Sequence, residues 1–288
     1  MGTNQMDKAD QYIDRVKDLP PAPTVATQLL GLFGDPDRDV DRIVELIGHD
    51  PSLTAEVLRR CNSALFRGDE AVTGMFEAVM RLGFYEVYCV VSALVGARAM
   101  SMGKAKGGLD MGSLWRHTVV TAVAASTLAK GDQEAEALAF TAGLLHDIGK
   151  LVLSSVESAR YAGLVQQSGA FGQSLADAEQ AAFGVNHAVV GARLLTRWGL
   201  PENVATSVLL HHSSIESAGP HAELAARVNV ANALAHRLID QTAETPVLLS
   251  CSPDAMILLE VSADDVPVLL ERTKTGLQRV ESLLNMAI

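Results

Sequence analysis

Residues 143 to 150 read GLLHDIGK, and an imidazole beside a carboxylate, His146-Asp147, is a pair that can hold a divalent ion. Adjacency alone does not decide it. The same pair recurs as His49-Asp50, where Pro51 follows and Asp50 reads as a helix N-cap with proline at the first helical position. Partners must therefore be found elsewhere. Five of the eight histidines, His117, His146, His187, His211 and His212, fall between residues 117 and 212, each on or at the end of a predicted helix. Imidazole nitrogens and a carboxylate together suit iron, manganese, zinc or nickel, and a helical bundle gathers such ligands from several helices. Taken singly, a histidine in such a place is more often a core or cap residue satisfied by the backbone than a ligand; five of them with Asp147 point to a site.

The elements that must position these residues read almost entirely as helix. Asp110 or Ser113 starts a helix through Lys130 with Gly131 as its stop, and His117 shares a face there with Ser113, Val120, Thr121, Ala124 and Leu128. An inward histidine of that kind needs a polar partner. A second helix is predicted over about 133 to 147, ending on His146 and Asp147. A helix C-terminus welcomes a protonated histidine but not an aspartate, so Asp147 wants a cation nearby. Ser174 opens a helix closed by Gly184, Asn186 caps the next up to Gly199, and further helices cover 201 to 212, 221 to 240 and 263 to 286. On the helix 221 to 240, Asn229, Asn232 and His236 share a face, either as a stripe facing the site or as an amide network satisfying buried groups.

In the first half, DVDRIVELIGHDPSLTAEVLRRCNSALF carries apolar residues at three- and four-residue spacing with the Asp50-Pro51 start between two short helices. Thr73 is the expected cap of a helix to Leu82, stopped by Gly83, before the apolar FYEVYCVVSALVGARAM. The segment SMGKAKGGLDMG, 101 to 112, reads as a linker and a subdomain boundary. LPPAP at 19 to 23 reads as a short polyproline II lead into the first lobe. No run alternates as a strand would, so the fold class is all-α.

Composition excludes several functions. A formal net charge of -11 argues against binding to nucleic acid or an anionic membrane. With 48% hydrophobic residues and mean hydropathy +0.19 there is ample material for a core. Cys61, Cys89 and Cys251 lie far apart without CxxC spacing, which fits a reducing compartment. The N-terminus MGTNQMDKADQYIDRVKDL lacks the apolar stretch of a signal peptide, and no uninterrupted apolar run reaches the roughly 18 residues of a membrane span. A cytoplasmic protein is expected.

His117 in LWRHTVV followed by LLHDIGK resembles the HD superfamily of metal-dependent phosphohydrolases, whose pattern is a histidine, an HD pair and a later aspartate. LPPAPTVATQLL, HDPSLTAEVLRRCNSALF, AVMRLGFYEV and FGVNHAVVGARLLTRWGLP narrow the resemblance to the HDOD domain over about 19 to 240. It implies a two-lobed helical architecture, an N-terminal lobe over 19 to 108 and an HD-like lobe over 109 to 240; outside it, 1 to 18 read as a leader helix and 241 to 288 as a helical extension packed on the lobes. It implies a bacterial signalling module working through protein contacts with other signalling proteins, with a metal-dependent phosphohydrolase on a nucleotide or other phosphorylated small molecule as the alternative. His117, His146 and Asp147 match the HD pattern; His187, His211 and His212 fall where the related HD-GYP phosphodiesterases carry further ligands. Asn232 stands where the last ligand would be aspartate, and HHSSIESAGP lacks the GYP signature. By the same resemblance Asp147 is a catalytic as well as a ligand position and Lys150 meets a phosphate, while simple contact with a helix dipole is the other reading of Lys150.

Overall fold

A computed structural model describes residues 3–17, 22–35, 37–63, 71–102, 107–171, 174–239 and 250–284, and every regular element among them is helical. The N-terminal part contains α1 (Thr3–Asp14), α2 (Thr24–Gly31), α3 (Val40–Gly48), α4 (Pro51–Cys61), α5 (Met75–Leu82) and α6 (Phe84–Met102). Asp50 caps α4 as expected, accepting from the Ser52 and Leu53 amides at 2.9 and 3.1 Å, and its other oxygen takes Arg98 of α6 at 2.7 Å. One aspartate thus starts a helix and ties it to a neighbour. The cap of α5 is Gly74, without a side-chain bond, rather than Thr73. Gly83, at φ 87°, turns the chain from α5 into α6 as its left-handed conformation allows. Of LPPAP, residues 19–21 lie outside the described residues.

The expected linker is shorter and less free than its composition suggests. Met102 still belongs to α6, residues 103–106 lie outside the described residues, and Gly107 and Gly108 both adopt positive φ against α9 and α10. A Cβ on Gly107 would come within 2.9 Å of the Ser154 side chain, so glycine is needed for close approach as well as for the turn.

The second part runs α7 (Met111–Leu128), α8 (Gln133–Leu145), α9 (Ile148–Val156), α10 (Ser158–Phe171), α11 (Leu175–Phe183), α12 (His187–Arg197), α13 (Glu202–Leu210) and α14 (Ala222–Ile239), followed by α15 (Pro253–Leu258) and α16 (Val266–Leu284). Asp110, not Ser113, is the N-cap of α7. Ser174 and Asn186 cap α11 and α12 through the amides of Asp177 and Val189. The helix expected over 133 to 147 stops at Leu145; a turn at His146-Asp147 follows, and α9 and α10 were not foreseen. The stretch Gln133–Val156 is apolar and long enough by composition to cross a membrane, yet it is mostly buried inside the fold.

Two apolar clusters fill the molecule. One gathers α2 to α6 and also takes Val119, Ala122, Val123, Ala137, Phe140 and Leu144 from α7 and α8; the other joins α7 to α14 with Ala9 and Ile13 of α1. Helices α7 and α8 lie between them. Their approach depends on Gly143, where a Cβ would sit 2.7 Å from the Ala122 Cα. α1 is held to α12 by a bidentate Arg193–Asp10 pair at 2.9 Å and by Arg197–Asp14 at 2.8 Å. α16 lies over α6 and α7, where Arg279 meets Glu86.

Asp254 pins the segment after α13 to α15, accepting from the Ser214 hydroxyl and the Ile215 amide at 2.7 Å each, and from the Ser252 hydroxyl. Burial acts to raise its pKa, but these donors outweigh burial and lower it to about 2. A folded pKa below the unfolded value means that this stabilisation is complete above about pH 4 and is lost as pH falls through the folded value. Asp254→Asn should therefore lower the melting temperature at pH 7 and flatten its fall between about pH 4 and pH 2 relative to wild type; parallel thermal melts across that range check this.

Candidate metal centre

The turn between α8 and α9 brings His146 and Asp147 to the centre of the second lobe. Asp147 occupies the N-cap of α9, the opposite of the helix C-terminus expected from sequence, so the dipole of α9 favours its charge. Its side chain makes no capping bond. Instead the carboxylate, 1% exposed, faces the imidazole of His146 beside it and those of His117, His187 and His211 from three other places in the fold. Oδ2 lies 3.4 Å from His146 Nε2 and 3.8 Å from His117 Nε2, while Oδ1 lies 3.3 Å from His187 Nε2 and 3.7 Å from His211 Nε2. His212 Nε2 is 3.0 Å from His187 Nε2 and stands at the open edge. Two donor groups result, His117-His146-Asp147 and Asp147-His187-His211-His212, with the carboxylate in both.

Asn232 of α14 reaches the first group, its Oδ1 3.0 Å from His117 Nε2. Lys150, in the first turn of α9 rather than beyond a helix end, donates to Asp147 Oδ2 at 2.6 Å. The structure thus brings together His117, His146, Asp147, Lys150, His187, His211, His212 and Asn232. The polar face of α14 divides. Asn229 donates to the His211 carbonyl and accepts from the Ser252 amide, so it serves the amide network, whereas Asn232 faces the histidines. The His236 ring lies beside that of His117, with centroids 4.5 Å apart.

Hydrogen bonds fix which nitrogens face the centre. His146 Nδ1 donates to the Gly143 carbonyl and His211 Nδ1 to the Val208 carbonyl, both at 2.6 Å, so in the neutral rings Nε2 carries a lone pair. His187 Nδ1 donates to Glu179 Oε2, also at 2.6 Å. Bare Nε2 atoms and a carboxylate therefore crowd one another: His117 and His146 are 3.2 Å apart, His187 and His211 3.3 Å. Asp147 Oδ1 accepts no well-directed hydrogen bond, despite two imidazoles within reach. Such a set is repulsive without a cation at its middle, either a proton on His187 or a metal ion in its place. The donor chemistry fits a divalent transition metal.

The electrostatics agree with the geometry. Burial pushes His146 down to about 3 against the pull of Asp147, and burial with its neighbour His146 holds His117 well below the usual histidine range. Burial also lowers His211, so these rings stay neutral and available as ligands. For Asp147 burial acts upward, but His146 and Lys150 outweigh it and the group remains a carboxylate. His187 is the exception: burial opposes its protonation, and the Glu179 carboxylate overcomes burial and raises it.

The HDOD domain pattern matches residues 19–214, most of the chain. The chain belongs to the HDOD domain family. An HDOD protein of unknown function from Geobacter sulfurreducens is 23% identical with a TM-score of 0.72, over 97% of this chain and 94% of that one. A candidate phosphohydrolase of Shewanella amazonensis SB2B is 26% identical with a TM-score of 0.68, over 94% of this HDOD chain and 97% of its own. An uncharacterised protein of Treponema pallidum (strain Nichols) is 28% identical over 240 residues, 83% of this chain but 45% of the relative, so this chain spans just under half of that protein.

Two residues on which the site depends carry no independent sequence signal. Glu179 sits on α11 at the start of an alanine-rich run, and only its place eight residues before His187 connects them. Gly149 follows the HD pair and lets α9 close on α12: a Cβ there would overlap the His187 carbonyl and lie 2.7 Å from the Gly191 amide nitrogen. Gly149→Ala must push α12 away, at a cost of about 1–3 kcal/mol of stability, and displace His187 from Asp147. Denaturant melts of the metal-free protein and metal retention after dialysis should both fall; unchanged values for both would show that the helices do not meet as described.

Proposed function

We propose that this HDOD chain is a cytoplasmic bacterial signal-transduction module that binds one or two divalent transition-metal ions in its second lobe and acts through contacts with other signalling proteins. The observation that carries the metal reading is the shared carboxylate: Asp147 faces Nε2 atoms of two donor groups, and its Oδ1 is left without a hydrogen bond. Burial supports a binding role over rapid turnover, since His146, Asp147, His187 and His211 are all at most 1% exposed and only the edge at His212 and Lys150 is open. Elemental analysis should find metal in protein purified without chelator and dialysed, and none in the His146→Ala, Asp147→Ala double variant. Equal metal in the two would overturn the assignment.

A second reading, hydrolysis of a nucleotide or other phosphoester, is favoured by Lys150 and by the naming of the Shewanella relative. A bound divalent ion would acidify coordinated water and polarise a phosphoryl oxygen. The chain itself supplies an ammonium at the rim: Lys150 spends one donor on Asp147 and keeps two for an anionic oxygen. Asn232 limits this chemistry, because its neutral oxygen is a poorer ligand than the carboxylate of the HD pattern and lowers occupancy. Asn232→Asp should retain more metal through dialysis and raise hydrolysis of a generic phosphodiester. Weaker retention in that variant would show that Asn232 does not stand at a ligand position.

A further inference from the structure

The two donor groups that meet at Asp147 are supported differently from behind. In the first, the Nδ1 of His146 rests on a neutral carbonyl and the fourth donor is the neutral amide of Asn232. In the second, His187 leans on a carboxylate. Glu179, 0% exposed, accepts from His187 Nδ1 at 2.6 Å and from the His187 amide at 2.7 Å through Oε2, and from the Tyr161 hydroxyl at 2.6 Å through Oε1.

A purely structural role does not account for the charge. The start of α12 is already capped by Asn186, whose side chain accepts from Val189 N at 3.1 Å. A glutamine at 179 could accept both His187 donors with its oxygen and donate from its amide to the Tyr161 hydroxyl oxygen. Among the described residues, no hydrogen bond or ion pair joins Glu179 to a lysine or arginine. A buried carboxylate so placed is costly unless positive charge faces it, and among the described residues the partner that can carry positive charge against it is the His187 imidazole. A carboxylate behind an imidazole N–H fixes the ring's tautomer and orientation and raises the basicity of the opposite nitrogen, which here is the Nε2 aimed at Asp147.

We propose that Glu179 is a positioning residue that makes the His187-His211-His212 group the tighter of the two ion sites, so that the first divalent ion loads there and the His117-His146-Asn232 group fills second. This rests on the metal-centre reading above and adds to it an order of loading and the residue that sets it.

The test is titration of chelator-treated full-length protein with Co2+, followed by calorimetry and by the visible ligand-field bands of the bound ion. Wild type should take a tight first equivalent. Glu179→Gln keeps the shape and both His187 hydrogen bonds, so the metal-free variant should stay folded with an unchanged helical spectrum while the affinity for the first equivalent falls about 10- to 100-fold and its bands shift. His117→Ala should keep the first equivalent at wild-type affinity and lose later uptake. If wild type took up no Co2+, the metal-centre reading itself would fail and this proposal with it. If wild type bound Co2+ and Glu179→Gln bound it as tightly with the same bands, or if His117→Ala lost the first equivalent, the proposal alone would fail. Should Glu179→Gln not fold, Tyr161→Phe decides: freed of one hydrogen bond, Glu179 pulls harder on the imidazole proton and the first affinity holds at or above wild type. A fall there would assign the effect to packing and overturn the proposal.

Discussion

The second lobe is organised by one constraint: a buried carboxylate and five imidazoles share a space with fewer protons than lone pairs. Neutral His146 and His211 have their Nδ1 protons committed to backbone carbonyls on the far side, so their Nε2 lone pairs face the centre that Asp147 shares. Lys150 meets one carboxylate oxygen and leaves the other unsatisfied. Every element of the lobe contributes to keeping this set in place. The dipole of α9 favours the charge on Asp147, glycines at 143 and 149 allow α8 and α9 to approach α7 and α12, and Glu179 holds His187 from behind.

The break between α8 and α9 follows from the same demand. Gln133–Val156 is apolar enough to continue as one long buried helix, and nothing in its periodicity requires a stop at Leu145. Opening the chain there frees two peptide groups' worth of direction, so that His146 caps one helix while Asp147 begins another. Because α7 and α8 belong to both apolar clusters, the turn is braced from the N-terminal lobe as well as from its own. A change in packing between the lobes would thus be felt at the site through α8.

Much of this was legible in the sequence. The all-α class, the caps at Asp50, Ser174 and Asn186, and the meeting of His117, His146, Asp147, His187, His211 and His212 follow from side chains that have few other uses at those positions, while the cap of α7 was open between Asp110 and Ser113 until the structure gave Asp110. What was hidden are features decided by contact rather than by local pattern. The helices α9 and α10 merge into an apolar run, and the turn at Gly107-Gly108 looked like free linker because the wall it packs against, Ser154 and Tyr161, is about fifty residues away in sequence. Glu179, among alanines in the sequence, comes to His187 only through the folding of α11 against α12. The face of α14 was ambiguous for the same reason, and the structure divides it, Asn229 to the backbone and Asn232 to His117.

A core concerned only with stability has a simpler solution. Replacing a buried charged cluster by apolar side chains of similar volume is often neutral or stabilising by a few kcal/mol, because desolvating the charges exceeds what their attraction returns. This lobe instead retains two fully buried carboxylates, Asp147 and Glu179, one bearing on the imidazoles directly and the other through His187. Among the described residues neither meets an arginine, and Asp147 has Lys150 on one side. Packing of the surrounding alanines, valines and leucines would be served as well or better without them. The cluster is therefore a cost carried by the rest of the fold, which Lys150 offsets at one oxygen of Asp147 and which positive charge between the imidazoles, a proton on His187 or a metal ion, would offset further.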